Sequence, residues 1–439
     1  MRASDLLSPG LLANGQTLRH AVAHAISRAQ INADRGSLST AADLMAFFLA
    51  ASTFVGGEGT GEPGAPGVPG DPGDPVGNLP LFGFNLGQLA DNPHRDAALA
   101  PASAVIGTDY LAPTQALIQP YVDAAKGRPF LVRLGFAHER IQKSNGANLD
   151  ATYVSQILAA MNLIQANGGF VILECHGYGR YWTKVAGEGA LGAGYTYKEH
   201  NGQWVAHIPY LDTANPPRVT AYENMWNKVA TAFKDHPALL GWGLMNEPFA
   251  DAAGFFTKET YKTFIQKVIY AVQAVDGVHP MFVNGFNYAT AKNWVASSDD
   301  LKTLNTFAAG GIIFEAHQYP DDNGGKWTDP NITIPLNWVE TNITPFFNWC
   351  LANRVKGFIG EYGGPVSAKN FVTVTNDLLN LCEQHRVPFC QWRVSPGMSD
   401  TYANGMNLAN GTAKPNAAPL IGRLGKRTSV VEAYGPIVV

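Results

Sequence analysis

From residue 81 onward, apolar segments alternate with segments of helical periodicity, and this alternation constrains the fold more than any other feature. Eight apolar segments have the length of buried strands, and they cover residues 81–85, 129–134, 169–175, 239–246, 280–284, 311–317, 357–361 and 388–392. Helical spacing appears between most of them, at 151–166, 220–234, 258–275, 335–353 and 370–385. This order predicts an α/β fold, a (β/α)8 TIM barrel. An open doubly wound sheet fits less well, because no glycine-rich phosphate turn follows the first segment.

The first part of the chain has a different pattern. Residues 1–56 predict a helical segment, in which Leu18, Val22 and Ile26 fall on one helix face. Because so small a unit cannot bury both faces of its helices alone, we expect it to serve in oligomerisation or attachment. A simple pair of amphipathic helices is the alternative.

A short Gly/Pro-rich linker follows at residues 57–78. It contains five consecutive Gly-X-Pro triplets, from Gly61 to Pro75, and glycine at every third position is what a collagen triple helix requires at its axis. A collagen-like stalk would make the protein a homotrimer, joined through the N-terminal helices and the triplets. A stiff polyproline-like linker is the alternative. In either case the barrel domain is expected at residues 79–427, followed by a C-terminal tail at 428–439.

Charge and hydrophobicity exclude several classes of protein. The formal net charge is −4, from 31 basic and 35 acidic residues, whereas a nucleic-acid-binding surface needs an excess of basic residues. No apolar run is long enough to predict a membrane span. The apolar run at 44–55 lies too far from the first residue for a standard signal peptide. We therefore expect an extracellular protein, either secreted without a recognisable standard signal peptide or carried on a virion tail.

Two predicted strands end in a glutamate. Glu247 follows an apolar run within Met245-Asn-Glu-Pro, and Glu361 ends the run that begins at Gly357. A carboxyl group at the end of a buried strand is costly to keep unless it is paired or functional. Because the active site of a (β/α)8 barrel lies at the carboxyl ends of the strands, we expect the two glutamates to face each other as catalytic residues.

Other polar and aromatic residues end the predicted strands or closely follow them, as Arg133 ends the second strand. They are expected at the same rim as candidate substrate-binding residues: Arg133, His176, Tyr181, Asn246, His317, Tyr319 and Trp392. Hydrolysis of a glycosidic bond requires such a set. One carboxylic acid protonates the leaving oxygen, and a carboxylate attacks or assists at the anomeric carbon. Arg133 and Tyr319 could keep Glu361 ionised, and Trp392 could offer an aromatic face to a sugar ring. This chemistry needs neither a metal nor a cofactor.

Five blocks carry a resemblance to glycoside hydrolase family 5, closest to its endo-β-1,4-glucanase subfamily. They are Leu131-Val-Arg-Leu-Gly-Phe with Glu139-Arg-Ile-Gln, Cys175-His-Gly-Tyr-Gly-Arg-Tyr, Met245-Asn-Glu-Pro, Ala316-His-Gln-Tyr and Gly360-Glu-Tyr-Gly-Gly. The resemblance implies a retaining double displacement, with Glu247 as acid/base and Glu361 as nucleophile, and supporting roles for Arg133, His176, Asn246, His317, Tyr319 and Trp392. The chain departs from the family at Glu174, where Asp is usual, and after Trp392.

The residues and the resemblance together predict a retaining endo-glycosidase that acts on a β-linked polysaccharide, a cellulose-like β-1,4-glucan. Two alternatives remain open. The first is a phage tail-associated depolymerase that cleaves a bacterial exopolysaccharide with the same two glutamates. The second is a non-catalytic carbohydrate-binding module that has kept the groove.

Overall fold

The computed structural model describes residues 82–424, apart from 101, 145, 213–218, 252–253, 322, 396–401 and 409. The predicted N-terminal helices, the Gly-X-Pro linker and the C-terminal tail lie outside the described residues and stay predictions. No helix in the described part of the chain is long and apolar enough to span a membrane. Cys175, Cys350, Cys382 and Cys390 are buried free thiols.

Eight parallel strands close into a barrel, as predicted. They are β1 (Phe82–Leu86), β2 (Phe130–Phe136), β3 (Gly169–Cys175), β7 (Leu239–Gly243), β8 (Met281–Asn284), β9 (Ile312–His317), β10 (Lys356–Glu361) and β11 (Phe389–Gln391). Each strand pairs with the next in this order, and β11 returns to β1. The carboxyl ends of all eight strands therefore meet at one face of the barrel.

The helices that cover the barrel in the described ranges are α1 (Pro93–Leu99), α2 (Gln115–Ala125), α3 (His138–Ile141), α4 (Ala151–Ala166), α5 (Val219–Phe233), α6 (Lys258–Gln273), α7 (Trp294–Ser298), α8 (Trp338–Asn342), α9 (Thr344–Asn353), α10 (Phe371–His385) and α11 (Ala418–Leu424). Three short 3₁₀ helices lie at Gln88–Ala90, Asp299–Thr303 and Pro415–Ala417. The single helix predicted at 335–353 is divided, because Pro345 lacks the N–H that a continuous helix would need there.

A three-stranded antiparallel sheet interrupts the barrel between β3 and β7. It consists of β4 (Arg180–Val185), β6 (Gln203–Pro209) and β5 (Thr196–His200), with β6 in the middle. This sheet was not predicted from the sequence. It begins only five residues after β3 ends, and so it adjoins the barrel rim on the side of β3.

The barrel interior is apolar in one layer and polar in the next. The apolar layer contains one residue from each of seven strands: Leu131, Ile172, Leu240, Phe282, Ile313, Phe358 and Cys390. Side chains two positions further along a strand point the same way, and those positions bring Arg133, Glu174, Asn284 and Glu315 into the interior, each no more than 1% exposed. Arg133 was predicted to end its strand, and that placement is wrong. It lies in the middle of β2, and its long side chain carries the charge toward the rim.

Candidate active site

Glu361 ends β10 at an irregularity in the barrel. The pairing of β10 with β9 shifts between Ile359 and Glu361, so that Glu361 lies beside His317. Such a bulge re-aims the side chain that follows it. Gly360 allows the bulge, because a Cβ at this position would lie 2.0 Å from Oε1 of Glu315. The Glu361 side chain therefore turns toward the polar layer.

Both carboxylate oxygens of Glu361 accept hydrogen bonds. Nη1 of Arg133 donates to Oε1 at 2.9 Å, and the hydroxyl of Tyr319 donates to Oε2 at 2.7 Å. The side chain is 4% exposed. A cation and a hydroxyl donor therefore fix the orientation of this carboxyl group.

Glu247 lies on the turn after β7, four residues beyond the end of the strand at Gly243. The predicted strand was therefore too long at this end. Glu247 has φ 41°, in the left-handed region that non-glycine residues seldom adopt. Its amide donates to Oδ1 of Asn284 at 3.0 Å, and Pro248 restricts the next φ. Its side chain is 15% exposed, more than that of Glu361.

The two glutamates face each other across His317. One ligand atom from each of Glu247, His317 and Glu361 lies within 4.8 Å of the others. Nδ1 of His317 is 2.9 Å from Oε1 of Glu247 and 3.7 Å from Oε2 of Glu361. The expected facing of the two strand-end glutamates is thus present in the structure.

Arg133 is the central cation of the site. Its side chain is fully buried and contacts three carboxylates, those of Glu174 at 3.4 Å, Glu315 at 2.6 Å and Glu361 at 2.9 Å. Burial opposes its charge, but the three carboxylates outweigh burial and raise the pKa of Arg133. Its Nη2 also donates to Oδ1 of Asn246 at 2.7 Å, which fixes the amide beside Glu247.

The two histidines of the site are each held by carboxylates. Burial favours a neutral ring, but the charge of Glu361 and hydrogen bonds to Glu247 and Glu315 raise the pKa of His317 to about 10. Its Nδ1 contacts Glu247 and its Nε2 contacts Glu315 at 3.0 Å. For His176, burial is likewise outweighed by Glu174, which raises its pKa. The ring of His317 is therefore cationic near neutral pH, and the shift at His176 has the same direction.

Glu247, His317 and Glu361 are also close enough together to be considered as metal ligands. A histidine ligand must offer a lone pair on one ring nitrogen. At its raised pKa, His317 carries a proton on each nitrogen and directs both toward carboxylates. The donor set therefore suits a charged hydrogen-bond network better than a metal ion.

Trp392 lies directly after β11 and next to His176. Their rings are stacked, with centroids 5.4 Å apart and planes 15° apart. The indole Nε1 donates to the hydroxyl of Tyr402 at 3.0 Å. Tyr178 contacts Nε2 of His176 through its hydroxyl at 3.0 Å. These contacts fix the aromatic wall beside the two glutamates.

Six of the seven predicted binding residues join this cluster, and Tyr181 does not. Tyr181 is 3% exposed and packs against Tyr210, with ring centroids 5.5 Å apart. It lines a separate small cavity with His138 and Glu139. As a β4 residue it alternates faces with its neighbours, and this places it in the packing beneath the inserted sheet. We therefore do not include Tyr181 among the proposed substrate-binding residues.

Sequence reasoning missed several residues of the cluster. Asn85, Glu315, Asn284 and Tyr178 contact the predicted residues, and Glu174 was noted only as a departure from the family. A signal was present at Glu315, a carboxyl group inside the apolar run Ile312–His317. A buried carboxylate of this kind needs a partner, and Arg133 on β2 supplies it across the barrel interior.

The barrel of this chain resembles known proteins. The model of the cellulase family, glycosyl hydrolase family 5, matches residues 92–397. A probable endo-β-1,4-glucanase B of Aspergillus niger is 24% identical over 59% of this chain and 66% of its own length. Endoglucanase gh5-1 of Neurospora crassa is 22% identical, and the match covers 57% of this chain and 55% of that protein. The chain thus spans somewhat less than two thirds of these relatives.

Solved structures also resemble this chain. The endoglucanase Cel5A of Pseudomonas stutzeri is 25% identical, with a TM-score of 0.64 over 82% of this chain and 97% of that one. Its complex with cellobiose aligns with the same identity and TM-score. The family model covers well over half of the chain, and it includes both glutamates and Arg133, His317 and Trp392. This chain belongs to the cellulase family, glycosyl hydrolase family 5.

Proposed function

We propose that the protein is a retaining endo-glycosidase that hydrolyses β-1,4-glucan through Glu361 as nucleophile and Glu247 as acid/base. The observation that carries this proposal is that one carboxylate oxygen of Glu247 lies within 4.8 Å of one carboxylate oxygen of Glu361. Retaining glycosidases hold their two carboxyls about 5–5.5 Å apart, whereas inverting ones leave about 6.5–9.5 Å for a water molecule.

The contacts of the two glutamates differ, and this difference supports a separate role for each. Glu361 receives hydrogen bonds on both oxygens, so it is held as an oriented anion beside the anomeric carbon. Glu247 is more exposed and contacts one cation, His317, which it shares with Glu315. We therefore assign the attack to Glu361 and the proton transfer to Glu247.

The reaction then proceeds in two displacements. A carboxylate oxygen of Glu361 attacks the anomeric carbon, the bond to the leaving oxygen breaks, and Glu247 gives its proton to that oxygen. Water next attacks the same carbon, Glu247 takes the proton from the water, and the bond to Glu361 breaks. The configuration at the anomeric carbon is inverted twice and therefore retained.

A β-1,4-glucan is the proposed substrate because the relatives share that specificity in name and the Pseudomonas enzyme was solved with cellobiose. A β-1,4-glucan polymer is encountered outside the cell, so we also propose that the protein acts extracellularly. Reducing-end release from carboxymethylcellulose, mixed-linkage glucan, mannan, xylan and a bacterial exopolysaccharide tests the substrate. Release from the β-glucans supports the proposal. Release from a bacterial exopolysaccharide alone would instead favour the depolymerase.

A further inference from the structure

Arg180 is a buried cation that the proposed mechanism does not use. It is the first residue of β4, and it is 6% exposed. Within the described residues, its guanidinium hydrogen bonds all go to main-chain carbonyls. Nη1 donates to Tyr178 at 3.0 Å and to Phe249 at 3.2 Å, and Nη2 donates to Ala250 at 3.1 Å. A buried charge without a hydrogen-bonded carboxylate is costly to keep.

The carbonyls that Arg180 binds lie on two different loops at the barrel rim. Tyr178 belongs to the loop after β3, whereas Phe249 and Ala250 follow Glu247 on the turn after β7. The guanidinium carbon also lies 3.5 Å from the centroid of the Phe249 ring, a favourable cation–π contact. A planar fork of donors can hold several carbonyls at fixed directions, which an ammonium group cannot do. Arg180 thus joins the two loops at the turn that carries Glu247.

This turn needs such support. Glu247 has a left-handed φ of 41°, a conformation that persists only when the surroundings hold it. Before Glu247, the amide of Tyr178 donates to the carbonyl of Asn246 at 2.9 Å. After it, the contacts of Arg180 hold Phe249 and Ala250. The backbone around the carboxyl group is therefore fixed on both sides, and Arg180 supplies the fixation on the downstream side.

We propose that Arg180 is a positioning residue for proton transfer by Glu247. The inference rests on the proposed function and adds to it a residue that acts through the turn without contacting the substrate. Its loss should misdirect the Glu247 carboxyl while leaving Glu361 and its partners in place. Proton donation should then fail, and nucleophilic attack should not.

Leaving groups of different basicity separate these two steps. Dinitrophenolate departs without a proton, whereas the hydroxyl of a sugar needs one. For Arg180→Met, we expect kcat/KM for cellopentaose to fall about 100-fold, within the usual contribution of general acid catalysis. For 2,4-dinitrophenyl β-cellobioside, kcat/KM reports the first displacement alone, and it should change less than about threefold, because this substrate requires no general acid.

Three further variants complete the test. Lys184→Met is the matched control, because Lys184 lies on the same strand and donates to the main-chain carbonyl of Ala100 from an exposed position. It should leave both rates unchanged. Phe249→Leu removes the ring and should reproduce the selective loss in part. Arg180→Lys keeps the charge without the planar fork, should fold even if Arg180→Met does not, and should show the same selectivity to a smaller degree.

Each result has a defined meaning. A selective loss on cellopentaose in the Arg180 variants supports the positioning role. An equal loss on both substrates, or no loss on either, overturns it. If the unaltered protein turns over neither substrate, the proposed function itself fails, which differs visibly from a variant that loses only one of the two activities.

Discussion

One carboxylate oxygen of Glu247 lies within 4.8 Å of one from Glu361, and Nδ1 of His317 is within 4 Å of both. Like charges at this separation repel in a buried site. The protonated ring of His317 and the guanidinium of Arg133 reduce the repulsion. This arrangement supports the proposed pairing of a nucleophile with an acid/base.

Replacing the proposed nucleophile should abolish turnover without unfolding the protein. Glu361→Gln keeps the size of the side chain and its contact with Tyr319, but a neutral amide cannot form the glycosyl ester. We expect activity on carboxymethylcellulose to fall by at least about 10⁴-fold, in line with the loss of a covalent nucleophile. Glu340→Gln, at an exposed position on α8, is the control. Substantial activity in Glu361→Gln would contradict the assignment.

Removing the proposed acid/base should have an effect that depends on the substrate. Glu247→Ala cannot protonate a sugar leaving group, so hydrolysis of the polysaccharide should fall about 10²–10⁴-fold. The first displacement with a dinitrophenyl glycoside should persist, and added azide should replace water and give a β-glycosyl azide. Product analysis by NMR measures this outcome. An α-configured azide, or equal loss on every substrate, would argue against the role.

The charge of Arg133 is expected to be essential for stability. Arg133→Met would leave Glu174, Glu315 and Glu361 together in the barrel interior without their shared cation. Breaking a buried ion pair by removing one partner costs about 3–5 kcal/mol, and urea unfolding at pH 7 should show a loss of this size. An unchanged midpoint of urea unfolding at pH 7 would contradict the role of Arg133 as the shared cation of the three carboxylates.

The pKa of His317 predicts how stability depends on pH. Folding raises this pKa from about 6.5 to about 10, so the folded state binds the proton more tightly than the unfolded state does. The stabilisation from His317 is fully present below about pH 6.5 and is lost as the pH rises through about 10. His317→Gln should therefore lose the most stability, relative to the unaltered protein, near pH 6. A difference that stays constant from pH 6 to 10 would contradict the prediction.

The sequence predicted the barrel well because its signals are local. All eight strands carry apolar runs long enough to recognise. The positions of Glu361 and His317 at strand ends follow from where these runs end. The three-stranded inserted sheet was missed because its strands are rich in polar residues; Thr196–His200, for example, is mostly exposed. The pairing of β4 with β6 joins segments that are separated along the chain, which periodicity does not report. The β5–β6 hairpin turns at Asn201-Gly202, a local signal that the sequence analysis did not use.

The site was predicted in part for a related reason. Strand-end residues could be identified, but the position of Arg133 in the middle of β2 and the buried Glu315 depend on which side chains share the barrel interior. Tyr181 lies close in sequence to His176, yet the change from barrel strand to inserted sheet turns it into the packing around Tyr210. The homotrimer predicted from the Gly-X-Pro triplets stays a prediction, since those residues lie outside the described part of the chain.

The stereochemistry of the first product tests the central claim most directly. Proton NMR of a soluble β-1,4-linked oligosaccharide, followed within the first minutes of hydrolysis, distinguishes the two anomers before mutarotation mixes them. A Glu247–Glu361 pair within 4.8 Å predicts that the β-anomer appears first and the α-anomer only later. An α-anomer formed first would mean an inverting reaction and would contradict the double displacement.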